Sequence, residues 1–162
     1  MKPEQVKKFL KVAAHECHKR GARLTPQRAH VLELLASAQR PMTAYDLLDM
    51  MNAEGGKVAP PTVYRALEFL LDQHLIHRLE TLHAFVPCDD PEHEHSSQFF
   101  ICGDCGDVQE VEDRGLRQSL AKAEAELGFQ ARRPVIEVLG TCASCSDPKD
   151  VVEAGEPTAP QD

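Results

Sequence analysis

The 162-residue sequence predicts an α+β protein: a winged helix-turn-helix, then a small α/β dimerisation domain with a structural four-cysteine zinc site. Three observations carry this. Apolar residues recur at helical spacing up to His74. Beyond it the period shortens to that of strands. Two C-x-x-C knuckles, Cys102-Gly103-Asp104-Cys105 and Cys142-Ala143-Ser144-Cys145, then bracket the second half.

The helices come first. Residues 3–20 place Val6, Phe9, Leu10, Ala13, Ala14 and Cys17 on one stripe, and Gly21 ends the helix. Cys17, beside His15 and His18, reads as a packed core cysteine. Thr25-Pro26 starts a second helix, with Thr25 as N-cap and Pro26 in the first turn. Ala29, Val31, Leu32, Leu34 and Leu35 give it a buried face. Pro41 breaks the run, and Thr43 caps a third helix carrying Tyr45, Leu47, Leu48 and Met51. After a turn at Glu54-Gly55-Gly56-Lys57, Pro60-Pro61-Thr62 opens a fourth helix with Val63, Leu67, Leu70 and Leu71 on its apolar side. A helix, a turn and a helix with polar residues in its first turn form a helix-turn-helix pattern.

Residues 75–80 and 83–86 then read as two short strands, which makes a wing. The polar, Pro-containing stretch Asp89-Asp90-Pro91-Glu92 reads as a linker. Strands are predicted at 98–101, 108–111 and 135–139, with an amphipathic helix at 114–127 ended by Gly128. The predicted organisation is a winged helix over 1–87, a hinge over 88–96, a dimerisation and metal-binding domain over 97–146, and a disordered acidic tail over 147–162. The second unit leaves a sheet edge open for a second copy.

Charge divides the same way. Residues 1–86 hold 12 Lys and Arg against 9 Asp and Glu, whereas 87–162 hold 6 against 17. The first half is therefore mildly basic although the chain carries −8, so the acidic total does not argue against nucleic acid. No apolar run approaches a membrane span, and the opening MKPEQVKKFL lacks a signal-peptide core. A cytoplasmic protein with reduced thiols is expected.

Two intervening residues let both thiolates of a knuckle point at one centre, and four thiolates close a tetrahedral zinc. A closed sphere has no place for substrate, so the predicted zinc on Cys102, Cys105, Cys142 and Cys145 is structural. The long gap from Cys105 to Cys142 suggests knuckles at opposite ends of the subdomain. The alternatives are a redox pair or disulfides, but thioredoxin-type chemistry needs one C-x-x-C opening a helix. Near the hinge, His77, His83, Cys88, His93, His95 and Glu110 are candidate ligands for a second ion. A zinc hydrolase is disfavoured: it needs an open coordination position, and no H-E-x-x-H occurs.

Arg23-Leu24-Thr25-Pro26-Gln27-Arg28, Thr62-Val63-Tyr64-Arg65-Ala66-Leu67 and the two knuckles, in this order, resemble the ferric uptake regulator superfamily over residues 5 to 146. Ala44-Tyr45-Asp46-Leu47-Leu48, Pro60-Pro61 and Phe100-Ile101-Cys102 make the zinc-sensing branch the most similar. The resemblance implies a zinc-responsive repressor of zinc-uptake genes, with no enzymatic activity, binding double-stranded operator DNA as a homodimer with two Zn2+ per subunit. It places a regulatory zinc on His77, Cys88, His95 and Glu110, with His93 as the alternative to His95. It makes Tyr45 and Arg65 candidates for reading bases, and Thr62 and Tyr64 candidates for phosphate, with Arg23 and Arg28 adding backbone contacts. Iron and manganese sensors typically carry His-His-Asp-His where this chain reads Ser96-Ser97-Gln98-Phe99. A sibling sensor of iron, manganese or peroxide is the alternative.

Overall fold

The computed structural model describes residues 1–55, 57–92, 97–131 and 134–146. His93, His95 and the tail over 147–162 lie outside the described residues. Four helices come first: α1 (Pro3–Lys19), α2 (Pro26–Ser37), α3 (Ala44–Ala53) and α4 (Pro60–Asp72). An antiparallel ribbon follows, β1 (Ile76–Leu79) with β2 (Ala84–Pro87). The second half holds β3 (Gln98–Cys102), β4 (Val108–Val111), α5 (Arg114–Leu127) and β5 (Ile136–Gly140). The elements follow the order read from the sequence.

The first core forms where the apolar stripes of α1 to α4 meet. Leu32, Leu35, Leu47, Leu67 and Leu70 are fully buried in it, as is Cys17. One predicted position differs. Ala14 is exposed and Glu16 is buried instead, because Lys19 (2.8 Å) and Arg20 (3.5 Å) pair with its carboxylate. Thr25 occupies the N-cap of α2 without a side-chain capping bond, so that start rests on Pro26. The cap of α3 is complete. Thr43 Oγ1 accepts from the Asp46 N–H (3.1 Å), and Asp46 Oδ2 accepts from the Thr43 N–H (2.8 Å). The wing is sewn to this core by Met42, which exchanges two backbone hydrogen bonds with Phe85 (2.8 and 3.0 Å).

The second half is a three-stranded sheet in the order β4-β3-β5. β3 and β4 form the hairpin, and α5 carries the chain across so that β5 lies parallel to β3. Asp113 caps α5, accepting from the Leu116 N–H at 2.8 Å, and Gly128 ends it at φ +62°, a conformation glycine adopts without strain. No residue of α5 is buried, and Leu116, Leu120, Leu127, Phe129 and Leu139 are exposed. A small second core holds Phe99 and Ile101, and Leu79 from the wing completes it. The packing boundary therefore runs through the wing.

The capping box predicts a pH-dependent contribution. Hydrogen bonds from Thr43 hold the Asp46 carboxyl below the usual carboxylate range. A group depressed in this way stabilises the fold above its unfolded pKa, and the gain is lost as pH falls through the folded value. Asp46→Ala should destabilise the protein by about 1 kcal/mol in urea unfolding at pH 7. The gap to the wild type should close below roughly pH 4.

Candidate functional site

The parallel pairing of β3 with β5 explains the first cluster. Parallel neighbours end on the same side, so both knuckles sit at one end of the sheet and not at opposite ends, as the long gap suggested. Cys102 pairs in register with Gly140, and the Gly103 N–H donates to the Gly140 carbonyl (2.9 Å). The sulfurs of Cys102, Cys105, Cys142 and Cys145 all lie within 4.8 Å of one another. Four sulfurs about 2.3 Å from one zinc stand about 3.8 Å apart. The Cys105–Cys142 separation is 3.7 Å. Backbone N–H groups of Cys105, Cys142 and Asp104 aim at Cys102 and lower its pKa to about 6. Neighbouring cysteines, Cys105 first, raise that of Cys145 to about 12. Such crowding of thiols is relieved when a cation replaces their protons.

The second cluster joins the halves. His77 comes from β1, Cys88 follows β2, and Glu110 comes from β4; their ligand atoms lie within 4.8 Å of one another. His77 Nε2 stands 3.1 Å from Glu110 Oε1. Ligand atoms about 2.1 Å from a tetrahedral ion are about 3.4 Å apart, so the pair fits one. Cys88 is fully buried, and burial together with the Glu110 carboxylate pushes its thiol up to about 12. One imidazole, one thiolate and one carboxylate form a zinc-compatible donor set with a net charge of −2. Among the described residues only three of the four expected ligands can be placed, because His95 is not among them.

Ser97 was not singled out by sequence. Its hydroxyl donates to Glu110 Oε1 (2.5 Å) and lies 3.5 Å from His77 Nε2. The Asp89 N–H donates to the other Glu110 oxygen (3.2 Å). The Phe99 ring, 5.2 Å from the His77 ring, walls the imidazole. A serine beside a strand carries no distinctive pattern, so only the fold shows that it orients Glu110. His83 sits exposed in the wing turn, apart from both clusters.

The exposed face of α4 carries Tyr64 and Arg65, with Thr62 half-buried beside them. Arg65 makes no ion pair with Glu68 among the described residues. Tyr45, near the start of α3, is 68 % exposed, a large aromatic surface with no packing role. Arg28 is already engaged: its guanidinium stacks 3.6 Å over Phe69 and donates to the Arg23 carbonyl (2.9 Å).

These features define a winged-helix protein with one thiolate-rich cluster in its second half and a mixed cluster at the junction. The chain belongs to the ferric uptake regulator family, whose profile matches residues 19–139. It is 40 % identical over 148 residues to the zinc uptake regulation protein of Escherichia coli (strain K12), covering 90 % of this chain and 85 % of that protein. Among solved structures, a zinc uptake regulator complexed with zinc and DNA superposes with a TM-score of 0.83 at 40 % identity, over 86 % of this chain and 94 % of the other. Holo XcZur, at 44 % identity, gives 0.79 over 85 % and 96 %, whereas apo XcZur, at 43 %, gives 0.52 over 88 % and 98 %.

The thiolate cluster predicts a metal-dependent fold. Cys102→Ser or Cys142→Ser should lower the tightly held metal content by one ion per chain and unfold the sheet domain, read by metal analysis and circular dichroism. A variant that keeps its sheet and its dimer after chelation would show that the four cysteines hold no structural metal.

Proposed function

We propose that this protein is a zinc-responsive repressor that binds operator DNA as a zinc-loaded homodimer and shuts off zinc uptake. The observation that carries the reading is the cluster of His77, Cys88 and Glu110, whose donors come from both sides of the junction. A site assembled from two halves is complete only in one relative orientation, so metal favours that orientation by differential affinity. The higher similarity to holo than to apo XcZur supports the orientation described here as the metal-bound one.

The proposed ligands are His77, Cys88, His95 and Glu110 for the regulatory zinc and the four knuckle cysteines for the structural zinc, two ions per subunit. Bound at the junction, zinc(II) supplies positive charge that offsets the buried thiolate and carboxylate. The residues do the rest. Ser97 and the Asp89 amide orient Glu110, and Phe99 fixes the His77 ring plane. The winged helix over 1–87 would carry the DNA surface, the segment 88–96 the hinge, and 97–146 the dimer contact. The uncovered apolar side of α5 and β5 supports a second copy as its partner. Arg65 and Tyr45 are the proposed base readers, and Thr62 and Tyr64 the proposed phosphate contacts. The protein is a regulator and not an enzyme, as its zinc-uptake relatives are. Its expected compartment is the cytoplasm. Among the described residues no helix is long and apolar enough to cross a membrane.

Operator-length DNA binding in a buffered free-zinc series tests the reading, with iron(II) and manganese(II) in parallel. Binding should appear only as zinc rises; binding that follows iron or manganese would transfer the protein to a sibling class. His77→Ala or Cys88→Ser should remain a dimer carrying the structural zinc but lose zinc-induced DNA binding. Arg65→Ala should keep both zincs and lose about 1–3 kcal/mol of operator preference over random DNA.

A further inference from the structure

We propose that Glu137 is a positioning residue whose carboxylate latches the wing turn to the sheet domain and thereby sets how much zinc is needed for DNA binding. This rests on the function proposed above and adds to it a second tie between the halves.

Glu137 stands on β5, opposite Phe99 of β3. Its two oxygens take two consecutive backbone donors of the turn between β1 and β2. Oε1 accepts the Glu80 N–H at 2.6 Å, and Oε2 accepts the Thr81 N–H at 2.9 Å. These partners are 57 and 56 residues away in sequence, so the contact exists only when wing and sheet are docked. Burial would raise the Glu137 carboxyl, but the donors from Thr81 and Glu80 outweigh it and keep the group ionised. Charge-assisted bonds of this kind are the strong ones. Backbone N–H groups cannot be lost by side-chain change, so the carboxylate is the specific half of the pair. Leu79, one residue before, is fully buried against Phe99 and Ile101 of the sheet. The wing is therefore held by an apolar plug, by the junction cluster and by this latch.

The latch favours the docked arrangement without being a ligand. A ligand that binds only one arrangement has its apparent affinity reduced by the fraction of molecules in that arrangement. Loss of the latch lowers the docked fraction, so more zinc is needed to reach the same occupancy.

The test uses full-length protein as Glu137→Ala and Glu137→Gln; the glutamine keeps the volume and lowers the risk of misfolding. The free-zinc midpoint for operator binding should rise about tenfold, with affinity recovered at saturating zinc and with dimer and structural zinc unchanged. An unchanged midpoint overturns the proposal, as does loss of the dimer or the structural zinc in both variants. Amide hydrogen exchange on zinc-loaded protein without DNA reads the latch directly. Glu80 and Thr81 should be protected in the wild type and exchange faster in both variants, and equal exchange overturns the latch. If the wild type shows no zinc-dependent DNA binding, the functional reading fails, while the exchange comparison still decides the latch.

Discussion

The structure depends on one electrostatic constraint: two acidic side chains, Cys88 and Glu110, packed together where the two halves meet. Cys88 is fully buried, and Glu110 sits beside it with its side chain only 10 % exposed. In a region of low effective dielectric the Cys88 thiolate would lose its solvation, and the neighbouring Glu110 carboxylate would repel it, so the thiol resists ionising. The rise of the Cys88 pKa expresses that resistance. In the proposed site a divalent cation would reverse that balance, because it would favour the thiolate and the carboxylate together. On that reading the docked arrangement responds to metal, and the hydrogen bonds of Glu137 to the wing turn add to its stability.

Much of this was legible in the sequence, for identifiable reasons. Helical stripes such as Val63, Leu67 and Leu70 are local, and every one of these residues is buried. Thr43 was readable as the cap of the third helix, and it caps it; the structure adds Asp46 as the return half of a capping box. The knuckles declare themselves because two thiolates with two residues between them have few other uses. His77, Cys88 and Glu110 are spread over 34 positions, and the family resemblance was needed to select them from six candidates. The fold does bring these three together.

What escaped was decided by tertiary geometry. The knuckles sit at one end of the sheet because α5 makes β5 parallel to β3, and spacing alone does not encode strand direction. Glu16 is buried because two cations one turn away neutralise it, which overrides the hydrophobic pattern that favoured Ala14. Arg28 looks like an unengaged surface cation in sequence, whereas its guanidinium stacks on Phe69. Ser97 and Glu137 act through partners 13 to 57 residues away, so no local pattern marks them.

The bare apolar side of α5 has a consequence for how such a protein responds in a cell. A helix with no buried residue gains little from its own chain, so in the proposed assembly a large share of the second half's stability comes from the other copy. By mass action, that share depends on copy number. At low abundance the sheet domain is less firmly held, and with it the scaffold that presents Glu110 to the junction. In the proposed switch the metal threshold would then be a property of the protein's concentration as well as of its ligands.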